Sequence, residues 1–147
     1  MIGTGRQGTA ANLGTFLGMD HVRVVAVCDV DRLRLQFAKS KVDECYGDSA
    51  CRTFTDFREA LELPGLDAVM ISTPDHWHVL MSVMAAKAGK DVQCEKPTLT
   101  IDEGKILVKT IREQLVEHGA VTRGRLGVYI QDITQDLADS FDLKQTD

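Results

Sequence analysis

The sequence lacks several features, and each absence removes a class of function. Its four cysteines, Cys28, Cys45, Cys51 and Cys94, contain no C-x-x-C pair. Two of them stand at the ends of predicted buried strands, so free buried thiols are the expected state. A metal centre drawn from Cys45, Cys51, His76 and His78 has no recognised ligand spacing, and no metal is expected. Positive charge is not in excess: 17 Lys and Arg against 22 Asp and Glu leave a net charge of −5. That balance provides no broad basic surface for nucleic acid. No apolar run approaches the ~18 residues of a membrane span. Repeats and low-complexity segments are absent too. No signal peptide is visible and the chain opens almost inside its first motif, so a cytoplasmic location is the default expectation, with periplasmic export left open. At 147 residues the chain is long enough for one ordinary domain and short for two.

What is present begins with Gly3-Thr4-Gly5-Arg6-Gln7-Gly8, a G-x-G-x-x-G run. Between a strand and a helix, the first glycine makes a tight turn, the second lets backbone approach a pyrophosphate, and the third lets helix pack on strand. The helix N-terminus behind them is an anion site. Such a run alone is a weak signal, because glycine-rich turns are common. Here it is followed by a helical stripe of Ala10, Leu13, Gly14 and Leu17 and then by an apolar run from Val22 to Cys28, which reads as a strand covered on both faces. The run ends at Asp29, roughly 20 residues past the last glycine, where this fold class keeps the acid that hydrogen-bonds a ribose 2′-hydroxyl. A carboxylate there repels a 2′-phosphate, favouring NAD over NADP. Asp29 or Asp31 could instead cap the next helix, and Asp31 suits that role better.

Elements alternate from there. A helix runs through Leu33, Phe37 and Ala38, and a short strand covers Arg52 to Phe54. A short helix opens near Thr55 or Asp56 and ends by Pro64-Gly65. Leu66 to Ser72 is the next buried strand. Val79, Leu80, Val83 and Met84 form the stripe of a helix closed by Gly89, and Asp91 to Cys94 is another strand. Thr100 and Glu103 form a capping box for a longer helix whose Leu107, Val108, Ile111 and Leu115 share a face. Strands alternating with helices of this length predict a Rossmann-like doubly wound parallel α/β sheet.

Two further motifs fall just outside the carboxyl ends of strands, where an open parallel sheet places ligands. They are Ser72-Thr73-Pro74-Asp75-His76-Trp77-His78 and Glu95-Lys96-Pro97. With GTGRQG, VAVCDVD, DAVMISTPDHWH and CEKPTLTIDEG following one another, the chain from Met1 to about Arg112 resembles the N-terminal domain of the Gfo/Idh/MocA oxidoreductases. The resemblance implies that Gly3, Thr4, Gly5, Arg6, Gln7 and Gly8 hold the pyrophosphate and Asp29 the adenosine ribose. It implies that Ser72, Thr73, Pro74 and His78 line the path toward the nicotinamide. Glu95 and Lys96 would stand at the nicotinamide itself, with Lys96 as the catalytic lysine that assists proton transfer when a sugar or cyclitol CH–OH group is oxidised. In that family the lysine's partners come from a second, substrate-binding domain. Lys96 also reads as an ordinary surface lysine, and His76 and His78 as residues flanking a helix with Trp77 packed as core or lid.

The sequence departs from that pattern at both ends. Only Met1 and Ile2 precede Gly3, whereas a central strand normally runs about 5 residues. Shortening it predicts unpaired ladder groups in mid-sheet, each costing on the order of 1 to 3 kcal/mol. From Gln114 to Thr146 the wording LVEHGAVTRGRLGVYIQDITQDLADSFDLKQ resembles the junction between protease domain and first PDZ domain in Do/HtrA serine proteases. The expected organisation is therefore an NAD(P)-binding domain over 1–119 and an incomplete PDZ-start-like segment over 120–147, joined within a helix. Alternation through Leu126, Val128 and Ile130 also fits a divergent strand completing the sheet. The expected function is a dinucleotide-binding domain, inactive by itself, with a polyol or sugar substrate only if a second domain is supplied and homo-oligomerisation left open. The alternative is a non-catalytic interaction module using the PDZ-like piece.

Overall fold

The computed structural model describes residues 1–118. Four short strands, β1 (Ala26–Cys28), β2 (Arg52–Phe54), β3 (Ala68–Ile71) and β4 (Asp91–Cys94), form two parallel pairs. Val27 sits opposite Thr53 in the first pair, and Val69 opposite Val92 in the second. Ile2 joins the pairs, bridging Cys28 on one side and Ile71 on the other. The order across the sheet is thus β2-β1-Ile2-β3-β4, the parallel order of a Rossmann-like fold.

Helices cover both faces. One face buries Val27 with Leu13 of α1, a helix that is π-helical over Gly8–Leu13 and α-helical over Gly14–Leu17, and with Leu35, Ala38 and Val42 of α2 (Arg32–Tyr46). The other face packs Ile2, Val69, Ile71 and Val92 against Phe57 and Ala60 of α3 (Phe57–Leu61) and Met81 and Ala85 of α4 (His78–Lys87). Side chains that alternate along extended strands supply one core to each layer.

The local stop signals act as their chemistry dictates. Asp31 accepts hydrogen bonds from the Leu33 and Arg34 amides at the start of α2, and Gly47 ends that helix at φ 67°. Thr100 and Glu103 exchange bonds of 3.2 Å, each side chain accepting from the other's amide, to open α5 (Ile101–His118). The stripes are less faithful. Leu33 and Phe37 are exposed while Leu35 and Val42 are buried, and Leu80 is exposed beside buried Met81. Periodicity announces a helix, but which arc faces the sheet depends on how the helix is docked. Cys28 is a buried free thiol as expected, with burial pushing it up to about 11, and Cys94 at the end of β4 is a half-buried one; Cys51 is buried too, whereas Cys45 is an exposed free thiol on α2.

Where Ile2 lies between β1 and β3, the expected unpaired ladder groups do not occur. At the carboxyl end, Ile2 N–H donates to Met70 O at 2.8 Å and Ser72 N–H to Ile2 O at 2.8 Å. Gly3 N–H donates to Cys28 O and Cys28 N–H to Met1 O, both at 2.9 Å. Two residues thus complete the ladder where the glycine turn begins. Behind them lies a cavity of about 280 Å³ bordered by Met1, Val24, Ala26, Ala68 and Met70. In a strand the N–H and C=O of one residue point the same way, so the Ala26 and Met70 amides face this slot. The PDZ-like segment over 120–147 lies outside the described residues.

Candidate functional site

The glycine turn leaves the sheet between β1 and β3, and its first and third glycines are fixed by close packing. Gly3 has φ 87°, and a Cβ there would lie 2.6 Å from the carbonyl carbon and oxygen of Ser72. A Cβ on Gly8 would lie 2.2 Å from Gly3 O. Gly5 differs: the nearest atom to its Cβ position is Arg34 Nη1 at 3.7 Å. It borders an open cleft, so a side chain at Gly5 would be unwelcome to a ligand rather than to the fold.

That cleft, about 660 Å³, is bordered by Gly3, Gly5, Arg6 and Gln7, by Asp29 and Arg34, by Ser72, Thr73 and Pro74, and by Trp77 on the α3 side. Trp77 stands edge-on to Phe57 at 6.4 Å between ring centroids, so it is both core and cleft wall. Asp29 is held at the lip. Its Oδ2 accepts from Thr4 N–H at 2.7 Å and from the Thr4 hydroxyl at 2.9 Å, and its Oδ1 accepts from Asp31 N–H at 2.9 Å. Thr4 is buried, with its carbonyl accepting from the Thr9 hydroxyl at 2.7 Å. Its side chain therefore straps the turn to the end of β1 and does not face the cleft.

At the other end the three motifs meet through Asn12, a residue the sequence reading did not single out. Asn12 Nδ2 donates to Ser72 Oγ at 2.8 Å and to Glu95 Oε1 at 2.9 Å, and Gln7 Nε2 reaches the same oxygen at 3.4 Å. The Asn12 hydrogen bond, aided by those from Gln7 and by nearby Lys96, holds the Glu95 carboxyl below its ordinary range. An amide four residues after the last glycine, on a helix facing the sheet's carboxyl edge, is the one signal that could have found it. Lys96 is exposed and forms no ion pair among the described residues. His78 does not border the cleft. It is 2% exposed and lies beneath two loops, with Nδ1 2.8 Å from Pro97 O and Nε2 2.9 Å from Thr73 O. His76 is exposed on the short turn before α4, with its ring tilted against Trp77.

Of the predicted residues, Gly3, Gly5, Arg6, Gln7, Asp29, Ser72, Thr73 and Pro74 surround one cleft, while Thr4, Gly8 and His78 support it from behind. Glu95 is tied to it through Asn12 and carries Lys96 beside it. The glycine turn opens onto a helix N-terminus, and an acid closes the adjacent strand. An open sheet edge at Gly5 completes the features of a dinucleotide-binding Rossmann domain.

The comparisons agree. The profile of the Gfo/Idh/MocA family, described as "Oxidoreductase family, NAD-binding Rossmann fold", matches residues 1–119, and the chain belongs to that family. It is 37% identical over 101 residues to a glycosyl hydrolase family 109 protein of Stenotrophomonas maltophilia, covering 65% of this chain and 22% of the relative. It is 35% identical over 98 residues to inositol 2-dehydrogenase 1 of Saccharopolyspora erythraea, covering 66% and 27%. The structure of scyllo-inositol dehydrogenase from Lactobacillus casei with bound NAD(H) and scyllo-inositol superposes with a TM-score of 0.70 at 25% identity, over 86% of this chain and 34% of that one. The chain thus spans about a quarter of the length of these curated relatives. It is an NAD-binding oxidoreductase domain related to the inositol dehydrogenases.

Proposed function

We propose that the chain binds NAD(H) in preference to NADP(H) and forms the cofactor half of a dehydrogenase acting on a CH–OH group of a cyclitol or sugar. The observation that carries this reading is the Asp29 carboxylate at the lip of the cleft. A carboxylate offers about four acceptor positions, and three of those on Asp29 are taken by Thr4 N–H, the Thr4 hydroxyl and Asp31 N–H. The remaining position suits a ribose hydroxyl, and the charge repels a 2′-phosphate. Arg34, whose Nη1 lies 3.7 Å from the Gly5 Cβ position, already pairs with Asp31 at 3.4 Å.

Within this reading the Gly5 edge and the N-terminus of α1 receive the pyrophosphate, and Ser72 to Pro74 line the way to the nicotinamide. Bound NAD⁺ would supply the two-electron acceptor for oxidation of a secondary alcohol. Loss of the hydroxyl proton falls to Lys96, which does not itself border the cleft but directly follows Glu95, the residue that Asn12 ties to Ser72 of the cleft wall. The cofactor unit is taken to run over 1–119, with the substrate wall supplied from outside it. NADH formation from inositols or aldoses by the 147-residue chain alone is therefore expected to stay far below one turnover per second. Turnover that reaches that rate and disappears in Lys96→Ala would disprove the need for an added wall.

Titration separates the cofactors. The parent is expected to bind NADH at least about tenfold more tightly than NADPH. Asp29→Ala is expected to weaken NADH binding by about 1 to 2 kcal/mol, the scale of hydrogen bonds to a charged acceptor, and to erase the preference. Equal affinity of the parent for both cofactors would sink the proposal.

A further inference from the structure

We propose that His78 is a positioning residue whose imidazole clamps the loop after β3 to the loop after β4 and so fixes where Lys96 stands at the cleft. The inference deepens the cofactor reading and rests on it. The ring is buried at the first position of α4, a helix seated in the core by Val79 at 5% exposure and Ala85 at 0%. Its two nitrogens point in different directions at two carbonyl oxygens, Thr73 O at 2.9 Å and Pro97 O at 2.8 Å. A carbonyl only accepts, so the ring ties a loop through each nitrogen that bears a proton, and ties both when both do.

The two loops also share Asn12, which bonds Ser72 Oγ and Glu95 Oε1, but that link lies on the Glu95 side of Lys96, and the imidazole lies on the Pro97 side. Thr73 borders the cleft, and Pro97 follows Lys96 directly. Glu95 is held by the Asn12 amide and by its own N–H to Ile71 O at 2.9 Å. Lys96 therefore stands between Glu95, tied to α1, and Pro97, tied to α4 when His78 Nδ1 bears the proton, while its own side chain is exposed. Anchoring both flanks of one exposed lysine restricts the arc its ammonium can sweep, and it does so without any contact from the histidine to the ligand. Pre-organisation of this kind is what a proton-handling group needs, since geometry must be in place before reaction.

Two measurements on the full chain test the clamp. Amide hydrogen exchange without cofactor is expected to quicken by about fivefold in His78→Ala at Thr100, whose N–H is held by Thr98 O and Glu103 Oε2, the effect of one lost hydrogen bond. The core amides of Val27 and Ile71 should keep their protection. Titration with NADH and with ADP-ribose, which lacks the nicotinamide, should show ADP-ribose binding nearly unchanged and NADH affinity lowered by about fivefold. His78→Gln, which keeps one N–H donor group, should recover part of both effects and guards against a variant that fails to fold. Unchanged exchange at Thr100 overturns the clamp. Equal losses for both ligands also overturn it, because a general loss of fold would act that way. A parent that binds neither ligand defeats the cofactor reading instead, and the exchange result then decides the clamp alone.

Discussion

Gly8→Ala is expected to abolish measurable NADH binding and to lower the melting temperature by more than about 5 °C. The added methyl would stand 2.2 Å from Gly3 O and 3.2 Å from Ser72 Cβ. Neither neighbour can yield cheaply. Gly3 is pinned through its N–H to Cys28 O at 2.9 Å, and Ser72 through its N–H to Ile2 O at 2.8 Å. The helix must move instead, and with it Asn12 and the Gln7 cap at its N-terminus, where the pyrophosphate is proposed to sit. Overpacking of a tight contact typically costs about 1 to 3 kcal/mol, and here the displacement also opens the Asn12 bonds to Ser72 and Glu95. Gly5→Ala is the control. Its Cβ has 3.7 Å to the nearest atom, so the melting temperature should hold while NADH affinity falls. Calorimetry and NADH titration on both variants check the pair. A Gly8→Ala protein with parental stability and affinity would mean that α1 does not pack as described.

Extending the chain by four or five β-branched apolar residues ahead of Met1 is expected to raise the melting temperature by at least several degrees. Three effects act together. The added strand fills the cavity of about 280 Å³ between β1 and β3 and offers carbonyls to the Ala26 and Met70 amides. It also converts the Met1 ammonium into an amide. That ammonium is buried, donating to Ala26 O at 3.0 Å, and desolvation pulls its pKa from 8.0 down to about 6. An amine whose folded pKa is depressed binds fewer protons folded than unfolded, so stability rises with pH across the interval between the two values. In the 147-residue chain, stability should therefore increase from pH 6 to pH 8, by about 2 to 3 kcal/mol in total from this group. In the extended chain that slope should vanish. Thermal melts of both chains at several pH values read both effects. An unchanged melting temperature with an unchanged slope would show that the sheet has closed without the strand.

Features governed by near neighbours were legible in the sequence. The strands Arg52–Phe54 and Asp91–Cys94 run where β propensity and turn residues put them. The Asp31 cap and the Thr100–Glu103 box follow from hydrogen bonds spanning two or three residues. The three site motifs were visible because an open parallel sheet gathers its strand ends at one edge, so chain order alone predicts that Gly3, Asp29, Ser72 and Glu95 converge.

Tertiary structure alone decided which side chains face the cleft and which hold it. Asn12 reaches partners 60 and 83 residues away, and His78 joins carbonyls 5 and 19 residues away in opposite directions. Bonds of that span leave no periodic trace in a sequence. The Thr4 strap to Asp29 likewise turns a residue of the glycine motif away from the cleft. The arc of α2 that packs on the sheet was set by docking against Val27 and Cys51, which buried Leu35 and Val42 and left Leu33 and Phe37 outside. The same holds at the centre of the sheet. Only the structure showed that Ile2 closes the ladder between Cys28 and Ile71, with a cavity bordered by Met1 behind it. Pairing there depends on which backbone groups lie within reach of one residue, a matter of distance in space rather than position in the chain.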